Sequence, residues 1–426
     1  MSKRIFWILA IGLHFLFLLM QLLGHTTMLQ DTKEYLFAAD NLIQYHQLYC
    51  NDFSAPLNPD YLTKRPFLYP AILAIFRLIS FENNSIFLAI VLIIQNCVSL
   101  FNLKIMLKIV SHFKGDVNYL YAFILLIITP AQLIYANLIM TEIWLQFIIL
   151  MLLNYFLFYR DSKKWQVYAS ILCIAGIALK PVIIFLALIF PALIIYFYYK
   201  KLNLRLIVIS ILPAIFVLLT IQWNAKRTGS YQYSAISTIN LLHYNAYTLL
   251  IHEEGISKAD STIDDITKQS LQRASYSEQQ KYKEKAAKSI IGNHIGAYTY
   301  LHLRGAFLCL LDPGRFDITQ FFNLPHTQNL VYEASKKNNK LQLVKSFINP
   351  LGIVLIGLFA CNIFKLIFGV KFIFSKHTKS LNKFLLLLFP LYIILITGPI
   401  GSSRFAIPFI PIYFAIILIT LSRGKV

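Results

Sequence analysis

Two acids and a few basic residues occupy positions in this sequence that ordinary membrane or surface design does not require. Asp31 follows the first apolar run, Ile5 to Leu23, by only a few residues, inside QDTKEYLFAADNLIQYHQLYCNDFSAPLNPDYLTKRPFLYP, which runs from Gln30 to Pro70. A carboxylate there can act as a general base or bind a metal; as a plain acid it would instead cap a helix beginning at Thr32. Glu142 lies in IMTEIWLQF and is the only acid between Val117 and Arg160. An ionisable group at that depth is expensive and calls for a partner or a cavity. The alternative is a helix capped by Thr141 with Glu142 as its favourable first-turn acid.

The cations are of the same kind. Lys64-Arg65 ahead of PFLYP suits a phosphate, because Arg forks onto phosphate oxygens and Lys acts as a point charge; a basic pair anchored to lipid headgroups is the alternative. Lys180 interrupts an apolar stretch and needs an anion, unless it snorkels to the interface. Arg404, in GPIGSSRFAIP, opens the last apolar run, where a simple interface anchor is the competing explanation. No Asp-x-Asp, P-loop, GxGxxG, HExxH or GxSxG occurs in the chain. The acidic metal clamp of a nucleotide-sugar site and internal ATP hydrolysis are therefore not expected.

These residues must be held by membrane helices. Of the 426 residues, 58% are hydrophobic and 14% charged, and the mean hydropathy is +0.62. A soluble chain would carry about a quarter charged residues. The apolar residues fall in long blocks at roughly 5–24, 86–109, 118–139, 142–159, 204–223, 347–370, 384–400 and 404–421. Residues 165–199, broken at Lys180-Pro181, would make one helix of about 50 Å at 1.5 Å per residue, against an apolar core of about 30 Å. Proline ends or kinks a helix, so a hairpin of two short spans with Lys180 at its turn is predicted. Residues 66–80 are short for a span and read as a juxtamembrane helix.

Charge placement sets the topology. The net charge is +20, but the basic residues cluster at joints between apolar runs. These joints are Lys3-Arg4, Lys104/Lys108/Lys114, Arg160/Lys163/Lys164, Lys200/Lys201/Arg205, Lys371/Lys376/Lys379/Lys383 and Arg423/Lys425. With 66–80 not crossing, all of them fall on one side, which the positive-inside rule makes cytoplasmic. No basic run with interleaved aromatics suggests a nucleic-acid partner. The prediction is an all-α polytopic chain with about ten spans and both termini inside. Asp31, Lys64-Arg65, Glu142, Lys180, the loop 224–346 and Arg404 then share the outer face.

The chain divides at 1–223, a transmembrane module whose first outer loop is 25–85; at 224–346, an outer segment; and at 347–426, a second transmembrane module. Within the outer segment, GNHIGAYTYLHLRGAFLCLLDPGRF is amphipathic and aromatic and reads as a membrane-lying helix with His302 and Arg304; a further span over 297–311 is the alternative. Cys97, Cys173 and Cys361 sit in apolar runs as small hydrophobes. Cys50 and Cys309 fall on the same face, where a disulfide and two free thiols are both open.

The order of these motifs resembles the GT-C-fold glycosyltransferases, in the branch of the protein O-mannosyltransferases and lipid A aminoarabinose transferases. The resemblance lies in Asp31 with Tyr35 and Ala38, the segment Lys64-Arg65-Pro66-Phe67-Leu68-Tyr69-Pro70, Pro130 with Met140-Thr141-Glu142, and Arg404-Phe405-Ala406-Ile407-Pro408. It covers about 1–200 and 398–421. One proline rather than two adjacent ones follows the basic pair, and the second acid is Glu rather than Asp.

The resemblance implies an inverting transfer from a polyprenyl-phosphate-linked sugar to a lipid, glycan or protein acceptor, outside a bacterial-type cytoplasmic membrane. Asp31 would deprotonate or orient the acceptor, and Glu142 would hold Lys180 or the sugar. Lys64, Arg65, Lys180 and Arg404 would bind the lipid phosphate. Tyr35, Tyr69, His302 and Arg304 would line the substrate groove. The resemblance fixes no cofactor and leaves a divalent metal open. The competing readings are a polysaccharide polymerase or ligase acting on diphosphate-linked glycans, and a transporter or flippase. The latter is disfavoured because the isolated charges gather at one face and no internal repeat is visible.

Overall fold

The computed structural model describes residues 1–24, 29–160, 162, 164–199, 203–324, 349–375 and 379–421, and all regular structure among them is helical. Helix α1, Lys3–Gly24, buries Phe6, Ala10, His14, Leu18 and Gln21, a one-sided stripe at helical spacing. The first loop then carries α2 (Gln30–Tyr45), the short α3 (Pro59–Thr63) and α4 (Leu68–Ile79). The small residues Ala38 and Ala39 on α2 are fully buried and let α4 close against it. Tyr35 and Tyr69 meet edge to face at 5.0 Å across that contact. Helix α4 buries Tyr69, Pro70, Leu73 and Ala74 and exposes Ile75, Leu78 and Ile79, within the short helix predicted for 66–80.

The long helix α5 (Asn84–Lys114) starts on an Asn83 side chain that accepts from two backbone N–H groups and ends at Gly115, where φ is 73°. The predicted span 118–139 is not one helix but two, α6 (Tyr119–Ile127) and α7 (Ala131–Ala136). Pro130 lacks the N–H that would continue the ladder, and its ring crowds the preceding turn. Helix α8 (Glu142–Phe158) follows, and then α9 (Trp165–Leu179) and α10 (Leu186–Tyr198). Lys180 is the C-cap of α9 and leads into a 3₁₀ turn at Pro181–Ile183, so the predicted hairpin and its turn are present.

After α11 (Leu204–Thr228), the outer segment forms α12 (Ile236–Ile239), a π-helical turn at Asn240–Ala246, α13 (Tyr247–Glu254), α14 (Ile256–Leu271), α15 (Tyr276–Asn293), α16 (Ile295–Leu311) and α17 (Arg315–Phe321). It is fastened to the first loop. Tyr276 and Gln280 on α15 donate to Asp60 at 2.7 and 2.8 Å, and Arg227 donates to the Leu48 and Leu62 carbonyls. The chain finishes with α18 (Pro350–Phe374), α19 (Ser380–Ile396), α20 (Ser403–Ala406) and α21 (Ile410–Leu421).

Six helical segments among the described residues are long and apolar enough to cross a membrane, and five shorter apolar helices accompany them. The chain is thus an all-α, polytopic membrane-type fold. Lys163, Lys200, Lys201, Lys376, Arg423 and Lys425, which entered the topology argument, lie outside the described residues, as do 325–346 of the outer segment and 347–348 after it.

A run of polar side chains crosses the bundle interior. His14 bonds Ser99, Gln132 donates to Ser99 and to Gln146, Asn102 donates to Gln146, and Gln146 donates to the Ile407 carbonyl at 2.8 Å. Between apolar helices such bonds contribute about 0.6–2 kcal/mol each. They also fix register, joining α1, α5, α7 and α8 to the segment that carries Arg404. No disulfide forms between Cys50 and Cys309. Both are free and buried; burial pushes the Cys50 thiol up to about 12, so it behaves as a small hydrophobe.

Candidate active site

The site is an ion network built from five chain segments. Asp31 and Glu34 lie three apart on α2, hence on one helix face. Arg65 spans them, with Nη2 2.5 Å from Asp31 Oδ1 and Nε 2.7 Å from Glu34 Oε2. Lys64 Nζ donates to Glu34 Oε1 at 2.7 Å. Arg404 reaches the other Asp31 oxygen, Nη2 to Oδ2, at 2.5 Å, and donates through Nε to Glu142 Oε1 at 2.7 Å. Lys180 Nζ shares that Glu142 oxygen at 2.9 Å. Three carboxylates thus face four cations, leaving one positive charge in excess.

One helix-start reading is corrected, and the other holds in position but not in its capping bond. Helix α2 begins at Gln30 with Leu29 as its N-cap, so Asp31 sits in the first turn and spends its carboxylate on two guanidiniums. Thr141 is the N-cap of α8 and Glu142 its first-turn acid, but the Thr141 side chain makes no capping bond, and Glu142 is also held by Arg404 and Lys180. Burial alone would raise the Asp31 carboxyl, but Arg404 and Arg65 overcome it and hold it well below the usual carboxylate range.

Exposure divides the network. The Glu142, Glu34 and Arg65 side chains retain 0%, 5% and 9% of their accessibility, whereas Asp31, Arg404 and Lys180 retain 23%, 25% and 20%. The former group is sealed in protein; the latter forms an edge that a ligand can reach.

The Lys64-Arg65 pair and Arg404 are placed by identifiable contacts. The Lys64 carbonyl accepts from Ser234 Oγ at 2.9 Å, so the outer segment holds the Lys64-Arg65 pair. Arg404 is set by a close packing of glycines. A Cβ built on Gly305 of α16 would stand 2.0 Å from the Gly398 carbonyl oxygen, and one on Gly401 would stand 2.1 Å from the Gly305 oxygen. Gly398 and Gly401 also have φ of +69° and +53°, a region that side chains disfavour. Just beyond, Ser403 donates its N–H to Asp312 and its hydroxyl to Asp317, and Tyr135 donates to the other Asp317 oxygen.

The groove residues fare differently. Tyr35 and Tyr69 are fully buried: Arg65 lies over the Tyr35 ring at 5.0 Å, and Tyr69 donates to Gln95. They support the network from beneath and do not line an open groove. His302 bonds the Leu395 carbonyl, and Arg304 is exposed on α16. Neither joins the network, because the face of α16 nearest the site is the one that carries Gly305. Glu34, Asp312, Asp317 and Tyr135 were missed by sequence reasoning. Only Glu34 left a signal, its i,i+3 spacing from Asp31.

No group of three or more His, Cys, Asp or Glu side chains among the described residues is arranged to hold a metal ion. Asp31, Glu34 and Glu142 are committed to cations, so a divalent metal does not fit this donor set.

No protein-family model matches the sequence, and no curated protein matches it. Among solved structures, the chain is similar to the archaeal oligosaccharyltransferase AglB from Archaeoglobus fulgidus, in complex with an inhibitory peptide and a dolichol-phosphate. That likeness has 12% identity and a TM-score of 0.43 and covers 97% of this chain and 50% of that one. The chain therefore spans about half the length of the oligosaccharyltransferase. It is also similar to ArnT from Cupriavidus metallidurans, in the apo state (10% identity, TM-score 0.38) and bound to undecaprenyl phosphate (11%, 0.40). Both likenesses cover 98% of this chain and 76% of that one.

Proposed function

We propose that the chain is an integral-membrane glycosyltransferase that moves a sugar from a polyprenyl-phosphate donor to an envelope lipid, glycan or protein acceptor on the outer face of the membrane. The observation that carries this reading is the accessible edge of the ion network, where one carboxylate stands beside two cations. Such an edge suits a reaction in which a hydroxyl loses its proton while a phosphate departs. The motif order that resembles the GT-C glycosyltransferases supports the same reading.

The acceptor oxygen bonds to the anomeric carbon as that carbon's bond to the phosphate oxygen breaks, inverting the centre. The bonding pair leaves with the polyprenyl phosphate, and the acceptor proton passes to Asp31. Arg404 and Lys180, with Lys64 and Arg65 behind them, stabilise the charge gathering on the phosphate. Glu142 anchors Arg404 and Lys180. Held by two guanidiniums, Asp31 is a weak base; a donor phosphate competes for Arg404, and the carboxylate oxygen so released regains basicity.

The test is transfer by purified protein from polyprenyl-phosphate sugars, read as product mass. Asp31→Asn is expected to cut transfer by orders of magnitude while the protein still expresses and folds, with a lower melting temperature because two guanidiniums lose a carboxylate. Product at the wild-type level in that variant sinks the Asp31 assignment. Activity only with diphosphate-linked oligosaccharide donors would favour a polymerase or ligase instead.

A further inference from the structure

A second polar feature lies at the opposite end of the bundle, between α1, α5 and α8. A groove of about 1100 Å³ is lined there by Lys3, Trp7, Phe101, Lys104, Lys108 and Tyr155, among others. Lys104 and Lys108 are four apart on α5 and so project from one face. Lys104 stands ten residues, about 15 Å at 1.5 Å per residue, before the helix end at Lys114. The His14–Ser99 bond, together with Lys3 lining the same groove as Lys104 and Lys108, sets α1 antiparallel to α5.

None of the groove's lining residues is acidic. Among the described residues no carboxylate lies within ion-pair distance of Lys3, Lys104 or Lys108. Lys108 donates instead to Asn154 Oδ1 at 2.9 Å and Tyr159 at 3.4 Å, with its ammonium over the Phe158 ring at 4.3 Å. These neutral partners hold the lysine in place and leave its charge unbalanced. The wall deeper in the bundle is apolar, and its residues Ile11, Cys97 and Phe101 are exposed.

We propose that this groove binds one anionic phospholipid, its phosphodiester on Lys104 and Lys108 and its acyl chains along Ile11, Cys97 and Phe101. The juxtaposition of unbalanced ammonium groups with a lipid-facing apolar wall matches a charged head joined to chains. A free phosphate would use only the lysines. Basic recesses between membrane helices commonly take anionic lipid headgroups. The site is independent of the transferase reading.

The experiment is native mass spectrometry of the purified full chain from nanodiscs of phosphatidylcholine with a minor fraction of phosphatidylglycerol. Wild type is expected to retain one phosphatidylglycerol. K104Q/K108Q is expected to retain about tenfold less of it, with the same melting temperature as wild type in phosphatidylcholine alone. Millimolar inorganic phosphate should not displace the lipid. C97W, which blocks the chain wall and leaves the lysines intact, should also lose the adduct, and it decides the matter if the lysine variant fails to fold. Undiminished phosphatidylglycerol on a folded K104Q/K108Q or on C97W, or displacement by inorganic phosphate, overturns the proposal.

Discussion

Asp31 and Arg404 stand 373 positions apart and meet at 2.5 Å, carboxylate to guanidinium. The same guanidinium holds Glu142 through Nε. One side chain from the end of the sequence thus joins the acid of the first loop to the acid that starts α8.

Removing that link is expected to be costly twice over. Arg404→Gln leaves Glu142, whose side chain is wholly buried, with Lys180 as its only cation. Breaking a buried pair by deleting one partner costs about 3–5 kcal/mol. A clear fall in melting temperature in detergent is expected, together with loss of transfer. Arg404→Lys keeps the charge but cannot fork between two acids, so it should recover part of the stability and little of the activity. Wild-type melting in Arg404→Gln would show that the network does not carry this load.

The pH dependence follows from the sign of the Asp31 shift. A carboxyl whose folded value lies below its unfolded one stabilises fully above the unfolded value, about 3.9. That contribution is lost only as pH falls from there through the depressed value. The difference in unfolding free energy between wild type and Asp31→Asn should therefore stay constant from pH 7 to about 5 and shrink below it. A gap that closes already between pH 7 and 5 would contradict the assigned direction. Paired melts of the two proteins across that range make the comparison.

Gly305→Ala tests how Arg404 is placed without touching any charge. The added methyl meets the Gly398 carbonyl at 2.0 Å, whereas at Gly296 of the same helix there is open space. Gly305→Ala should lower transfer at least tenfold by shifting the 398–401 turn, and Gly296→Ala should match wild type. Equal activity in both variants would mean that the turn yields without moving Arg404.

The thiols give a simple check on the packing of the first loop. Cys50 is buried and free, with its thiol pushed up to about 12. It should resist alkylation near neutral pH until the protein is unfolded. Intact mass without reductant should show no loss of two hydrogens. A Cys50–Cys309 peptide in a digest would refute the separation of the two residues.

Much of the bundle was legible because apolar blocks and basic joints are properties of the chain itself. The hairpin at Lys180 followed from proline and from the length of an apolar core, and α4 followed from its shortness and from the placement of the basic joints. The break at Pro130 was harder to see. A proline in an apolar run can kink one span or end it, and tertiary packing decides which.

At the site, the cost of an isolated charge pointed to Glu142 and Lys180, whereas Asp31 and Arg404 stood out only by their shared face and by the resemblance. Glu34 escaped because it sits among other polar residues, where an acid attracts no notice. Asp317 and Tyr135 escaped because their pairing across 182 positions has no local signature. His302 and Arg304 were singled out by chemistry, yet the contact face of α16 is defined by a glycine, the residue with no side chain to notice.

The glycine turn before Arg404 also bears on how the protein is made. Asp31 finds its first cation, Arg65, within its own loop, but its second, Arg404, is made only 373 positions later. A ribosome that stops after α19 leaves a nascent chain with Glu142 and Asp31 each short of a partner. The ion network therefore closes only once the segment carrying Arg404 has been made and packed between Asp31 and Glu142, and chains that stop short of it lack the cation that joins those two acids.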